Sequence, residues 1–412
     1  MQPDRRVAVV GIGVVSALGL STAEFWDGLV NGRCGIGPVD LFDTSAYRTN
    51  IGAQVRGLVP CEHFDKKALR RMSRCDMLGV IAAREAMRDS EISVSRENPE
   101  NIGVILGGGA GGMFSGERYR RDLFDGKRKP RPSMLIPFSP SVTTDYVARE
   151  FGLAGPRSTI VTACSSSSTS VGHAAECIRR GDADIMLTGG SDAMCELTYS
   201  GFNSLRAVDP GPCRPFDRER KGLSLGEGAA VLVLEEMEHA KARYAKIYAE
   251  LAGYGIACDA YHMTAPEANG EGAARTIAAA LADAWASPED VDYINAHGTA
   301  TKFNDAAETA AIKSVFGERA YDIPVSSIKS MIGHCLGSAG GLEATATVLS
   351  VYHGIIPPTI NYENKDPHCD LDYTPNNARS KDIKLAISNS LAFGGNNTTI
   401  AVRKHVDNLR PR

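Results

Sequence analysis

No segment of this 412-residue chain holds the ~20 consecutive apolar residues that a membrane-spanning helix needs. Its ten cysteines are scattered, with no C-x-x-C pair and none of the regular spacing of a disulfide framework or zinc site. There is no H-E-x-x-H and no carboxylate at ligand spacing, so a metal is not expected. Unstapled cysteines fit a reducing cytoplasm. Positive charge is not in excess either: 45 Lys and Arg face 49 Asp and Glu, for a net charge of −4. General binding to nucleic acid is thereby disfavoured, because affinity for phosphate backbones comes mostly from surplus Lys and Arg. A secretory leader is imitated but incomplete. Arg5-Arg6 precede the apolar stretch Val7 to Leu20, yet that stretch carries Gly11, Gly13 and Gly19 and lacks a cleavage site. It reads as a first buried strand and turn.

What is present is the composition of a soluble globular protein, 43% hydrophobic and 23% charged. The length exceeds one ordinary domain and suits one large α/β body or two fused halves. Short β-branched runs predict strands at Val7–Val10, Ile102–Leu106, Ser158–Thr162, Ile185–Thr188, Ala229–Leu234, Tyr248–Tyr254, Tyr293–Ala296, Ile323–Ser326, Lys384–Ser388 and Thr398–Val402. Ala-rich stretches between them predict helices at Cys75–Ser90, Ser165–Arg180, Glu271–Ala286, Ala306–Phe316 and Gly340–Tyr352. Such alternation implies α/β layering. An internal echo suggests duplication: a strand leads into a small-residue turn with reactive side chains and then a helix, at Cys164 and again at Lys329 to His334. The expected halves are residues 1–254 and 255–412. The Arg-, Lys- and Pro-rich segment from Arg118 to Pro140 has little periodicity and reads as a long surface excursion.

Three patterns resemble binding motifs but sit in the wrong context. Gly11-Ile12-Gly13-Val14-Val15-Ser16 follows a strand like a dinucleotide fingerprint, but ends in Ser. Gly222-Leu223-Ser224-Leu225-Gly226 fits G-x-S-x-G but runs into a strand, whereas a nucleophile elbow leads into a helix. The cluster Gly107 to Gly112 lacks the Lys-Ser/Thr of a phosphate loop, and should serve close backbone approach.

Reactive side chains occur elsewhere. The run Ser158 to Ala163 delivers Cys164 into Ser165-Ser166-Ser167-Ser168 and a helix, a position where helix-start amides favour thiolate. Asn295-Ala296-His297-Gly298-Thr299-Ala300-Thr301 ends a strand, so His297 is placed to point into a cleft. Ser327-Ile328-Lys329-Ser330-Met331-Ile332-Gly333-His334 runs into Gly337-Ser338-Ala339-Gly340-Gly341, whose small residues allow close packing. Asn389-Ser390-Leu391-Ala392-Phe393-Gly394-Gly395-Asn396-Asn397 links two strands. One aromatic before paired glycines suits either a mobile gate or an anchored turn.

Taken together, Thr162-Ala163-Cys164-Ser165-Ser166, Asn295-Ala296-His297-Gly298-Thr299, Lys329-Ser330-Met331-Ile332-Gly333-His334 and Phe393-Gly394-Gly395 closely resemble the β-ketoacyl-acyl carrier protein synthases. Their order and spacing match the synthase I/II branch, with similarity from about Val7 to Val402. The histidine pair is the specific part: thiolases pair the nucleophile with a second Cys, and the synthase III branch has Asn in place of one His. The resemblance implies a thiolase-like fold of two pseudo-symmetric halves in five layers, αβαβα, normally a homodimer. It implies decarboxylative condensation of a Cys164-bound acyl chain with malonyl-acyl carrier protein, with no cofactor of the enzyme's own. The substrates would ride on the phosphopantetheine arm of the carrier.

By the same resemblance, the amides of Cys164 and Phe393 form an oxyanion hole, and His297 and His334 stabilise the enolate left by CO₂. Lys329 and Glu308 would be a charged pair orienting the histidines. Thr299 and Thr301 contact the arm, and Ala110, Phe202, Gly394 and Gly395 border the substrate. The basic residues Lys67, Arg70, Arg71, Arg128, Lys129 and Arg206, with Lys66 beside them, form a reasonable docking patch for an acidic carrier. Two departures stand out. Leu391-Ala392 and Asn396 alter the usual gate, and Ala110 replaces a bulkier aliphatic residue beside the acyl pocket. They leave open fatty acid elongation, a type II polyketide or polyene ketosynthase, and, in another class, a non-catalytic partner subunit resembling chain-length factors. That last class generally lacks the nucleophilic cysteine.

Overall fold

The computed structural model describes residues 5–126 and 129–406. Every β-branched run forms a strand. The first half supplies β1 (Val7–Val15), β2 (Ile102–Gly107), β3 (Arg157–Ile160), β4 (Ile185–Asp192) and β5 (Gly228–Glu236). The second supplies β6 (Ala249–Cys258), β7 (Tyr293–Asn295), β8 (Val325–Ser326), β9 (Leu385–Leu391) and β10 (Asn396–Arg403). Their spatial orders are β1-β5-β4-β2-β3 and β6-β10-β9-β7-β8, and the halves join where Ala8 pairs with Glu250 and Val9 with Ala249. The two orders are the same once five is added to each label of the first. Directions repeat too: in each half two antiparallel pairings are followed by two parallel ones.

The echo in the sequence is therefore a repeat of topology. The boundary expected between residues 254 and 255 falls inside β6, which pairs with β10 from Glu250 to Cys258 with one register shift at Ala252.

Five helices matter for the layering: α1 (Arg74–Ser90), α2 (Ser166–Arg180), α3 (Glu271–Asp283), α4 (Lys302–Phe316) and α5 (Ala339–His353). On the outside, α1 covers β1, β4 and β5, while α3 covers β6, β9 and β10 with α4 against it. Between the half-sheets, α2 and α5 pack on each other and face both. Because both faces of each half-sheet are covered, alternate side chains enter different cores. Val7 and Val9 join Val171, Ile178, Leu342 and Val348 in the central core, whereas Ala8 and Val10 join Leu78 and Ala82 outside. In the second half, Ile400 and Val402 point to the centre and Ala401 outward with Ile277 and Leu281. This two-sided burial is why the strands read as continuous apolar runs.

The glycines of the false dinucleotide motif serve packing. A Cβ on Gly13 would lie 1.9 Å from the Ala82 carbonyl oxygen, and one on Gly11 2.4 Å from that of Ala86. Helix α1 thus rests directly on the backbone of β1, and the leader-like stretch is a buried strand. The glycine cluster behaves similarly, since a Cβ on Gly107 would meet the Ser167 nitrogen at 2.3 Å.

The segment from Arg118 to Pro140 is not free of regular structure: a helix covers Met113–Asp125 and a 3₁₀ run Pro132–Phe138. No residue of that helix is fully buried, and Phe114 alone is among the hydrophobics packed against a core cluster. Among the described residues, no helix is long and apolar enough to cross a membrane, and the ten cysteines are free thiols.

Candidate active site

The pseudo-symmetric helices α2 and α5 begin at one centre because small residues let them. A Cβ on Gly340 would lie 2.6 Å from Ser168 Oγ, and the Gly341 N–H donates to Ser167 Oγ at 2.7 Å. Just before α2 the chain turns sharply: Ala163 has φ +52°, a left-handed conformation that costs a residue with a Cβ of order 1–3 kcal/mol. This strand-to-helix elbow presents Cys164. The serines behind it return their hydroxyls to the backbone, Ser165 Oγ to the Thr162 carbonyl at 2.9 Å and Ser166 Oγ to that of Ala163 at 2.6 Å.

His297 follows β7, and Glu308 of α4 fixes its backbone. The His297 and Gly298 N–H groups each donate to the Glu308 carboxylate at 2.8 Å. Burial raises the Glu308 carboxyl to about 7, against the pull of those amides and Asn389. Lys329 Nζ donates to the His297 carbonyl at 2.7 Å and to His297 Nδ1 at 3.2 Å, and forms an ion pair with Glu343. The expected pair of Lys329 with Glu308 is therefore corrected. Lys329 bonds the Glu343 carboxylate projecting from α5, while Glu308 is occupied by two backbone amides.

His334 is held by the segment that imitated a nucleophile elbow. Its N–H donates to the Ser224 carbonyl at 2.7 Å, and its carbonyl accepts from the Gly226 N–H at 2.9 Å. Its Nδ1 accepts from the Leu336 N–H at 3.1 Å. Since Nδ1 of each histidine faces a donor, the ring proton of each sits on Nε2. The rings stand edge to face at 87°, with centroids 5.3 Å apart. Burial and then Lys329 hold both imidazoles well below their ordinary pKa, so they are neutral donors.

Sulfur and imidazole atoms of Cys164, His297 and His334 lie within 4.8 Å of one another, close enough in distance to share a metal ion. The donor set does not suit one. Protonated Nε2 atoms lack the lone pair a metal ligand must offer.

The Phe393 N–H points at the Cys164 sulfur, and Cys164 is 6% exposed. Burial pushes the thiol up to about 11, only partly opposed by Lys329 and the Phe393 amide. This corrects the expectation that the helix start favours thiolate, because in this closed site desolvation outweighs the amides. Phe393 stacks on Phe202 with centroids 5.7 Å apart. Its loop is pinned: the Gly394 N–H donates to the Met263 carbonyl at 2.8 Å, and the Asp259 N–H to that of Gly395 at 3.0 Å.

A cleft of about 370 Å³ opens onto this centre. Cys164, His297, His334, Phe202, Thr299, Thr301, Phe393, Gly394 and Arg206 line it. Thr299 Oγ1 and Thr301 Oγ1 are 2.9 Å apart along one wall. Ala110 and Gly395 do not line it. Ala110 is buried, its amide donating to Asp192 Oδ1 at 3.0 Å. Gly109 and Gly337 donate to Oδ2 of the same carboxylate at 2.9 Å, which ties the glycine cluster to the chain after His334. Lys67, Arg70, Arg71 and Lys129 are exposed and outside the lining, and Arg128 lies outside the described residues.

Sequence reasoning missed Glu343, Asp192 and the Ser224–Gly226 cradle. One signal for Glu343 was available: it is the single ionisable residue in Ala339–Val351, a stretch buried throughout.

The sequence matches the family described as Beta-ketoacyl synthase, N-terminal domain, over residues 4–240, and Beta-ketoacyl synthase, C-terminal domain, over residues 248–363. It is 43% identical over 409 residues to the 3-oxoacyl-[acyl-carrier-protein] synthase 2 of Synechocystis sp., covering 97% of this chain and 98% of the relative. Among solved structures, the ishigamide ketosynthase/chain length factor is similar with a TM-score of 0.93 and 38% identity, over 98% of this chain and 100% of that one. A type II polyketide ketosynthase, solved with its acyl-carrier protein and bound to the hexaketide, gives 0.90 and 36%, over 98% and 100%.

Proposed function

This chain belongs to the β-ketoacyl synthase family, with its thiolase-like fold, and on that premise we propose how its own side chains divide the condensation. The reaction is the 3-oxoacyl-acyl carrier protein synthase reaction of fatty acid elongation, an acyl transfer followed by carbon–carbon bond formation. Acyl carrier protein brings both substrates.

Cys164 takes the acyl group from its carrier thioester, the carbonyl oxygen resting between the amides of Cys164 and Phe393. The sulfur bonds to the acyl carbon, the bond from that carbon to the carrier's sulfur breaks, and the thiol proton ends on the departing sulfur, which leaves as the free carrier thiol. The malonyl thioester enters past Thr301 and Thr299. His297 and His334 donate Nε2–H to its carbonyl, so negative charge on the enolate meets donors already oriented as CO₂ departs. The enolate carbon attacks acyl-Cys164, the thiolate leaves, and the product is a β-ketoacyl thioester two carbons longer. Lys329 and Glu343 keep His297 in the tautomer this requires, and Glu308 keeps its backbone in place.

The observation that carries this reading is the tautomer of the two histidines: both Nδ1 atoms are occupied by protein donors, so both Nε2–H groups are free for the substrate. Neutral donors suit an enolate. A second reading, ketosynthase of a type II polyketide or polyene pathway, draws on the altered gate at Leu391-Ala392, which lines the cleft, and on the similarity to a type II polyketide ketosynthase. A non-catalytic chain-length-factor role is disfavoured by the intact Cys164.

We assign the protein to the cytoplasm, which suits ten free thiols, and expect a homodimer. Support for the dimer comes from β3, an edge strand of the sheet, followed by Val161 at 55% exposure. Phe124, Ile136 and Phe138 are exposed on the excursion between Arg118 and Pro140. Lys67, Arg70, Arg71, Lys129 and Arg206, with Arg128, remain the proposed carrier-docking residues.

Incubation with defined acyl primers and malonyl-carrier protein tests the reading. β-Ketoacyl products two carbons longer than each primer are expected. Release of the free acid, or no product from any primer, would overturn it.

A further inference from the structure

Three cations gather at the outer end of the cleft: Arg206, Lys221 and Lys302 all line it and all are exposed. They come from distant parts of the chain, and the backbone holds them side by side. The segment after Arg206 runs along the segment after Lys221, with the Leu223 N–H donating to the Ala207 carbonyl at 2.8 Å and the Asp209 N–H to that of Leu223 at 2.9 Å. Gly222 makes this approach possible, since at φ +141° a Cβ there would lie 2.3 Å from the Ala207 oxygen. Arg206 itself adopts φ +54°. Next to Lys221, the buried Arg220 guanidinium donates to the carbonyls of Thr301 at 3.4 Å and Lys302 at 3.3 Å, so the third cation is fastened to the second.

Like charges collected this way repel one another. Among the described residues, none of the three side chains forms an ion pair or hydrogen bond. The acidic groups nearby are engaged. The Asp209 carboxylate accepts the Lys221 and Gly211 backbone N–H groups at 3.2 and 2.9 Å, and Asp259 accepts from Asn397 at 2.6 Å. Exposure along one wall rises outward from the reaction centre: His297 is 1% exposed, Thr299 5%, Thr301 half-buried, Lys302 exposed and Phe303 76%. An extended, uncharged arm lying on this wall with its thioester at Cys164 would carry its far end to the cations.

We propose that Arg206, Lys221 and Lys302 form a phosphate-binding collar that recognises the phosphate of the phosphopantetheine arm as it enters the cleft. The proposal rests on the condensing-enzyme reading and adds an anchor to it. Unpaired cations at the mouth of a low-dielectric cleft focus a positive potential there. The collar takes up the anionic end of the arm whichever acyl group the other end bears. It therefore contributes binding shared by ground state and transition state, which appears in KM rather than in kcat.

The test compares CO₂ release from two carrier-free thioesters, malonyl-phosphopantetheine and malonyl-pantetheine, with wild-type protein and the Lys221→Ala/Lys302→Ala double variant. Carrier docking contributes to neither substrate. Charge-assisted contacts should favour the phosphorylated substrate by roughly tenfold or more in kcat/KM for the wild type, and the double variant should reduce that preference to within about threefold, through KM. Malonyl-coenzyme A presents the same chemistry from another source, so a loss confined to it would overturn the assignment to the carrier's arm. Equal wild-type use of both thioesters, or a variant that loses equally on both, would overturn the collar while the condensing-enzyme reading stands. A wild type inactive on all three overturns both.

Discussion

Replacing Glu343 by Gln should separate the two half-reactions. Lys329 and Glu343 are each 1% exposed, and Lys329 Nζ also contacts the His297 carbonyl and Nδ1 at 2.7 and 3.2 Å. Removing one member of a buried ion pair leaves the other charge uncompensated, at a cost of about 3–5 kcal/mol. Without Glu343, Lys329 Nζ is no longer held in place beside the His297 carbonyl and Nδ1. With that donor no longer fixed, His297 is not obliged to keep Nδ1 bare, and its Nε2 loses its standing as a fixed donor to the enolate. Loss of one such donor costs about 10²–10³ in rate, or ~2.7–4 kcal/mol. Acyl transfer to Cys164 uses the amides of Cys164 and Phe393 and should change by less than about tenfold. The assay follows CO₂ release from malonyl-carrier protein alongside acylation of Cys164 from acyl-carrier protein. If both steps fall by the same factor, or if CO₂ release is untouched, the tautomer argument is wrong. A Glu343→Asp variant, which keeps the charge, should recover part of the CO₂ release and controls for loss of folding.

Three further outcomes are expected. Because burial pushes the Cys164 thiol up to about 11, inactivation by iodoacetamide should climb close to tenfold per pH unit from pH 7 to 10; a plateau near pH 9 would indicate an ordinary thiol of pKa about 8.5. Gly13→Ala would place a methyl 1.9 Å from the Ala82 oxygen, so overpacking should cost at least about 1–3 kcal/mol and lower Tm, an effect that an unchanged melting curve would refute. Ala110→Ile should shift primer preference toward shorter acyl chains in a primer-length assay, and an unchanged profile would remove Ala110 from the acyl pocket.

Much of the fold was legible because two-sided burial leaves its mark on composition. Each strand of the two half-sheets coincides with a β-branched run, and α1 to α5 each overlap an Ala-rich stretch. Thr22–Val30, Met113–Asp125, Ser141–Phe151 and Glu196–Ser204 were not read as helices. Thr22–Val30 and Glu196–Ser204 are nine residues each, too short to show a clear period, and Met113–Asp125 has no fully buried residue. The reactive trio was legible for a different reason: Cys164, His297 and His334 each end an apolar run among small residues. What surrounds them was not. Glu308 is near His297 in sequence and looked like the partner of Lys329, but the turn of α4 aims its carboxylate at backbone amides. Ionisation of Cys164 was misjudged because a helix start can be read from sequence, whereas the depth of burial that opposes it depends on the Phe393 loop and α5 closing over the sulfur.

The central claim is that Cys164 holds the acyl chain until a malonyl-derived enolate discharges it. Mass spectrometry of the Cys164 peptide tests it most directly, after incubation with acyl-carrier protein and again after malonyl-carrier protein is added. The expected result is one acyl group on Cys164, absent in Cys164→Ala, that disappears on the second addition as one CO₂ and one β-ketoacyl-carrier product appear. An acyl group on another residue, or discharge as the free acid, would contradict it.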